Sequence, residues 1–258
     1  VSALSDAFAR GRDEGRALLV GYLPAGFAAP ATFAAMVDAG VDVVEIGLPY
    51  SDPLMDGPTI QEAVQRALDA GTHTRDVLAT VEAVAATGAP TLVMTYWNPV
   101  ERYGLDAFAR DLAAAGGAGV ITPDLIPDEA GPWLEAVRAN ALDPVFLVAP
   151  SSSDARIDAV AKVSGGFVYA ASTMGVTGAR DAVAGTASTL VARVRALTDM
   201  PVAVGLGVSN GAQAAEVAAY ADGVIVGSAL VRAVLDAPDD PGTAVAALAA
   251  DLAKGCRR

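Results

Sequence analysis

The sequence predicts an α/β protein, a (β/α)8 TIM barrel forming one domain over residues 1–258, on three observations. Eight short apolar runs alternate with helical patterns from end to end, as βαβ units of a parallel sheet do. A length of 258 residues is typical of one such barrel, and closing eight strands into a ring leaves no edge to protect. The long, unusual connections all follow strands, whereas the connections leading into strands are tight, and barrels build their active sites from the former.

The expected strands cover 17–23, 43–46, 91–95, 120–122, 145–148, 167–170, 202–204 and 223–226. Helical spacing of apolar residues marks 31–39, 59–70, 105–115, 128–139, 154–163, 187–197 and 211–219. An extra amphipathic N-terminal helix (VSALSDAFARGRDEGRA) precedes the first strand, and a short helix suited to phosphate follows the eighth. The elaborated connections are GLPYSDPLMDGP after the second strand, YWNPVERYG after the third and STMGVTGARDAVAG after the sixth; AGVDVV, TGAP, TDMP and YADG are the tight ones.

Composition narrows the function classes. Hydrophobic residues make up 53% and aromatics only 5%, which suits parallel strands under close-packed helices. A formal net charge of −13 repels nucleic-acid backbones and anionic membranes, so neither is an expected partner. The single cysteine, Cys256, excludes an intramolecular disulfide, and no apolar run approaches the ~20 residues of a membrane span. A cytoplasmic enzyme is the expectation, the N-terminal segment reading as a helix of the fold and not a signal peptide.

The second strand carries the central clue. Side chains alternate across a strand, so in Val41–Gly47 the residues Val43, Glu45 and Gly47 face opposite to Val44 and Ile46. With the apolar pair turned to the helices, Glu45 points into the barrel near its C-terminal mouth. A carboxylate there is costly unless paired, bonded or protonated, and its pKa is tunable towards neutrality, as a general acid or base requires. A structural glutamate bonded to backbone or arginine is the alternative, although nothing basic lies within the motif. The following loop adds Asp52, placed before Pro53 as a turn initiator, and Asp56, readable either as a cap before Gly57-Pro58 or as a second catalytic acid.

Missing residue types exclude other chemistries. Of two lysines, Lys162 falls on a surface helix and Lys254 near the terminus, so neither provides the inward lysine of a Schiff-base aldolase. The only histidine, His73, sits in an exposed-looking connection, so no metal site is expected. Carboxylates and tyrosines remain to move protons, and the substrate must carry its own electron sink. At the far side, Gly205–Ser209 and Gly227–Leu230 follow the seventh and eighth strands, and Gly175–Gly178 follows the sixth. Glycines there permit close backbone approach, and free N–H groups at a helix N-terminus bind phosphate without net positive charge. Tight turns without a ligand are the alternative.

VEIGLPYSDPLMDGPTIQ, then MTYWNP, PDLIPDEA, GVTG, GLGVS and VGSAL in that order, resemble the tryptophan synthase α-chain family from about Tyr22 to Leu230. The resemblance implies a lyase that cleaves indole-3-glycerol phosphate to indole and glyceraldehyde 3-phosphate in tryptophan biosynthesis. It implies no cofactor in this chain. Pyridoxal phosphate would belong to a partner β chain, in an α2β2 heterotetramer. By position it makes Glu45 and Asp56 the catalytic residues. It makes Tyr22, Ile60, Met94, Ile121, Leu147, Tyr169 and Thr177 the substrate contacts, and Gly178, Gly207, Gly227 and Ser228 the phosphate contacts. Met55 beside Asp56 and Ser172-Thr173-Met174 depart from the family pattern, and Pro49, Tyr50, Pro53, Met55 and 96–103 are candidates for the β-chain interface. Rival readings are an indole-releasing lyase working without a β chain, a sugar-phosphate isomerase with two carboxylates, and a non-catalytic barrel that only activates a β chain.

Overall fold

The chain winds eight times from strand to helix and back to its starting edge. The computed structural model describes residues 2–172, 180–205 and 207–257, with backbone alone over 180–184. The strands are β1 (Leu18–Pro24), β2 (Val43–Gly47), β3 (Thr91–Met94), β4 (Gly119–Ile121), β5 (Asp143–Val145), β6 (Leu147–Val148), β7 (Val168–Ala171), β8 (Val202–Gly205) and β9 (Gly223–Val226). All neighbours are parallel, in the order β5-β4-β3-β2-β1-β9-β8-β7-β6.

The two ends of that order are one strand interrupted at Phe146, so the ring closes through the chain itself. The sequence pattern reads 145–148 as continuous, but the ladder breaks there. β5 pairs only with β4, and β6 only with β7. Pro144 has no N–H to give, although its carbonyl accepts from Gly165 N–H at 2.7 Å, and the Phe146 carbonyl accepts from Tyr169 N–H at 3.2 Å. Nine strands by hydrogen bonding are therefore eight barrel staves.

Helices α1 (Ala3–Asp13), α2 (Pro30–Asp38), α3 (Pro58–Asp69), α4 (Thr74–Ala85), α5 (Trp97–Tyr103), α6 (Leu105–Ala114), α7 (Gly131–Ala139), α8 (Asp154–Val163), α9 (Arg180–Arg195), α10 (Gly211–Ala218), α11 (Ser228–Asp236) and α12 (Pro241–Cys256) accompany the strands. The segment 128–139 is a 3-10 turn, Pro127–Glu129, followed by α7, because Gly131-Pro132 restart the helix. Residues 97–103, read from sequence as loop, form α5. Pro99 sits in its first turn, where a missing N–H is harmless, and the carboxylate of Asp124 accepts from Trp97 N–H at 2.9 and 3.1 Å. No described helix is long and apolar enough to cross a membrane.

Alternation along the strands yields two cores. Val44, Ile46, Val93, Val120, Val204 and Val224 are buried outward against the helices, while Leu18, Val20, Val43, Leu92, Ile121, Val145, Phe167, Ala203 and Ile225 fill the barrel. Helix α1 stops the bottom. Ser2 caps its N-terminus, its hydroxyl accepting from Ser5 N–H, and its apolar stripe Leu4, Ala7 and Phe8 enters the inner core, with Phe8 5.3 Å from the Phe167 ring. Asp42 ties the same end, accepting two bonds of 2.8 Å from Arg16 and one of 2.9 Å from Leu19 N–H. With the bottom filled and tied, the C-terminal mouth is the end left open for a ligand.

Candidate active site

At the mouth the inward positions change from aliphatic to polar and aromatic. Tyr22 of β1 and Glu45 of β2 are register partners, as are Leu147 of β6 and Tyr169 of β7, so their side chains stand side by side above the inner core. Two glycines make room for the rings. A Cβ on Gly47 would overlap the Tyr22 hydroxyl, and one on Gly205 would stand 2.7 Å from that of Tyr169. Small residues on one stave thus let a tyrosine of another lie across the opening.

The result is a cavity of about 370 Å³. Tyr22, Ile60, Met94, Leu147 and Tyr169 form its apolar and aromatic wall, Glu45 and Asp56 reach it from the second strand and its loop, and Gly207, Gly227 and Ser228 form its rim. A flat aromatic group with a polar tail suits such a shape. A groove of about 450 Å³ lies on the flank between Pro49–Asp52 and α5, but it touches neither Glu45 nor Asp56, so the chemistry selects the smaller space.

Not every predicted contact lies there. Ile121 is fully buried in the inner core and is not among the residues lining the cavity, although its register partner Met94 is. Thr177 and Gly178 lie outside the described residues. Met55, Ala149, Ala171, Ser172, Gly205 and Ile225 also line the space. Alternation could have found Ala171, Gly205 and Ile225, which continue the inward rows of their strands. Met55 and Ala149 lie in loops, where the period-two rule has no force.

Glu45 is 1% exposed, and its Oε1 has no hydrogen-bond partner among the described residues. Burial alone pushes its carboxyl up to about 8, so the group holds its proton at neutral pH. Asp56 is half-buried; burial raises it, while a hydrogen bond from the Tyr96 hydroxyl works the other way. The phenols of Tyr22 and Tyr169 are driven well above their ordinary range, by burial first and then by the nearby carboxylates, and stay neutral. Two acids in one cavity with different environments are equipped for different proton-transfer tasks.

The rim offers the complementary feature. Gly227 is the N-cap of α11, without a side-chain cap bond, and it and Ser228 line the cavity, while Gly207 holds a positive φ of 67° that favours glycine. Free amides and the helix dipole accept an anion without a basic side chain. Lys162 pairs on the surface with Asp158 at 2.6 Å, and His73 is an exposed N-cap residue whose backbone N–H donates to Asp76 at 2.8 Å. Among the described residues no three His, Cys, Asp or Glu side chains are grouped to hold a metal ion.

Comparison with known proteins agrees with this arrangement. The profile of the family described as tryptophan synthase alpha chain matches residues 8–256. The tryptophan synthase alpha chain of Thermobifida fusca (strain YX) is 59% identical over 266 residues, covering 100% of this chain and 98% of that one. Tryptophan synthase of Mycobacterium tuberculosis, solved in space group F222, superposes with a TM-score of 0.93 at 55% identity, covering 100% and 99% of the two chains. The alpha subunit from Legionella pneumophila str. Paris, at 30% identity, keeps a TM-score of 0.91 over 99% of this chain and 98% of its own.

Proposed function

The chain belongs to the tryptophan synthase alpha chain family, and from that premise we propose that it cleaves indole-3-glycerol phosphate to indole and glyceraldehyde 3-phosphate. The observation that carries the reading is a buried Glu45, its Oε1 without a hydrogen-bond partner among the described residues, lining the same cavity as Asp56 and the glycine at a helix N-terminus. The aromatic wall would take the indole ring, and the amides at Gly207, Gly227 and Ser228 the phosphate, with Thr177 and Gly178 completing the contacts.

The proton inventory balances. Protonated Glu45 delivers a proton to indole C3, leaving an iminium-type cation in the ring. The bond between C3 and the hydroxyl-bearing glycerol carbon then breaks, its electron pair returns to the ring, and the hydroxyl proton leaves as the aldehyde forms. Glu45, now a carboxylate, is placed to accept it. Asp56 stabilises the indole N–H while the ring is cationic. No lysine or metal is required, since the protonated ring is the electron sink.

The same reading places a tryptophan synthase β chain on the mouth face, as partner in an α2β2 assembly, with pyridoxal phosphate held by that partner. Exposure of Leu54 (74%) and Met55 (52%) on the Asp56 loop supports a docking surface there. The test is to mix the purified chain with indole-3-glycerol phosphate, with and without a β chain, and follow indole. Release stimulated by the β chain is the expected result. High unassisted turnover would favour a lyase that works alone, and no release under either condition would sink the reaction assignment.

A further inference from the structure

Part of the cavity wall is a turn that is gripped from outside the barrel. Leu147 of β6 and Ala149 just beyond it both line the cavity. The chain then folds into a turn closed by its own bonds. Ser152 N–H donates to the Ala149 carbonyl at 2.8 Å, and Ala149 N–H donates to the Ser152 hydroxyl at 3.0 Å. Ser153 next caps α8, its hydroxyl accepting from Arg156 N–H at 3.2 Å.

Arg193, near the C-terminal end of α9, takes the two remaining carbonyls of this turn. Its Nη1 donates to the Pro150 carbonyl at 3.2 Å and its Nη2 to the Ser152 carbonyl at 2.6 Å. Its Nε and Nη2 also donate to Asp154 Oδ1, in the first turn of α8, at 3.0 and 2.7 Å. One planar guanidinium thus holds the turn and the start of the next helix together, with a fork of donors that an ammonium cannot reproduce. A groove of about 310 Å³ lies between turn and helix, lined by Pro150 on one side and by Gly185, Thr189 and Leu190 of α9 on the other. The guanidinium spans a gap that apolar packing leaves open, and its side chain is only 32% exposed.

We infer that Arg193 is a positioning residue that sets the cavity wall at Ala149, and through it the fit of the ring the cavity accepts. The role rests on the proposed cleavage, in which that wall takes the indole ring. Arg193 is not among the residues lining the cavity, so its effect passes through the turn. Arg193→Met keeps an apolar stem and removes all four bonds. Arg193→Lys keeps a charge for Asp154 and loses the fork.

The experiment follows indole release by each full chain with a β chain present, on indole-3-glycerol phosphate and on analogues methylated in turn at each carbon of the benzene ring. Equilibrium binding of indole and the matching methylindoles reads the same wall without turnover. In Arg193→Met, KM for the unmethylated substrate should rise about 3–10-fold, with kcat changed less than about threefold. Its preference in kcat/KM over the analogue methylated where the ring meets the turn should fall by a similar factor, because a loosened wall rejects a methyl group less well. Arg193→Lys should lie between the two. Loss of folded protein alone would lower kcat and leave KM and that preference where they are. Unchanged KM and unchanged preferences in both variants overturn the inference. If the unmutated chain releases no indole, the reaction assignment falls, while the ratio of indole to methylindole binding still reports whether Arg193 shapes the wall; a chain that binds neither overturns both.

Discussion

Replacing Glu45 by Gln should make the protein more stable in alkali while removing its activity, and the size of the effect follows from burial. The folded-state carboxyl lies at about 8, against an ordinary 4.5. Below about pH 4.5 both folded and unfolded chains hold the proton. Between 4.5 and about 8 the folded chain retains a proton that the unfolded chain has released, so stability falls as pH rises. Above about 8 both are ionised and the whole cost is present. At ~1.4 kcal/mol per pH unit that cost is on the order of 5 kcal/mol, an upper bound because relaxation and water entry reduce it.

Glutamine lacks this titration. Any fixed difference between amide and acid cancels when the two chains are compared at several pH values, and the pH-dependent part isolates Glu45. Guanidinium unfolding of both chains at pH 5, 7 and 8.5 should show the variant gaining about 2–4 kcal/mol relative to the unmutated chain across that range. In a barrel of this size that is roughly 5–15 °C in Tm. The same variant should lose ~10²–10⁴-fold in indole release, as expected for a removed general acid–base group. A stability difference that is flat with pH would refute the claim that Glu45 is buried without a partner, and near-normal cleavage would refute its role.

Three further outcomes test the rest of the site. Asp56→Asn should cut indole release by ~10²–10⁴-fold with little change in unfolding free energy; retained activity would return Asp56 to a turn residue. Gly47→Ala should destabilise the fold by about 1–3 kcal/mol in denaturant unfolding, because its Cβ overlaps the Tyr22 hydroxyl, and an unchanged midpoint would mean that ring is free to move. Gly207→Ala, at a φ of 67°, should cost about 1 kcal/mol and raise KM several-fold by obstructing the rim; competition by inorganic phosphate should weaken in parallel, and an unaltered KM would remove the rim from the phosphate contacts.

Much of the fold was legible because period-two and period-3.6 patterns are local. The placement of Val44 and Ile46 against helices, and of Glu45 inward, needed only the alternation of a strand. The hidden parts depended on distant partners. Residues 97–103 carry a proline and read as loop, yet they form a helix whose first N–H is held by Asp124, 27 positions away. Phe146 splits a run that reads as continuous, because closing the barrel sets its pairing on each side with a different neighbour. Ile121 has the right character for an aromatic pocket, yet it packs in the inner core while its register partner Met94 lines the cavity, a difference set by neighbours across the barrel and not by the strand's own pattern. Tyr96 belongs to a connection whose sequence reads as loop, and only the folded chain brings its hydroxyl to the Met55 N–H.

By itself the sequence determined an inward carboxylate on the second strand, the glycine-rich connections that follow the later strands, and the lack of an inward lysine, since these depend on residue type and alternation. Tertiary structure decided which of those groups share a cavity and how deeply each acid is buried. Burial and hydrogen bonding set the proton affinity of a carboxyl, and both come from residues remote in the chain that meet only when the ring closes.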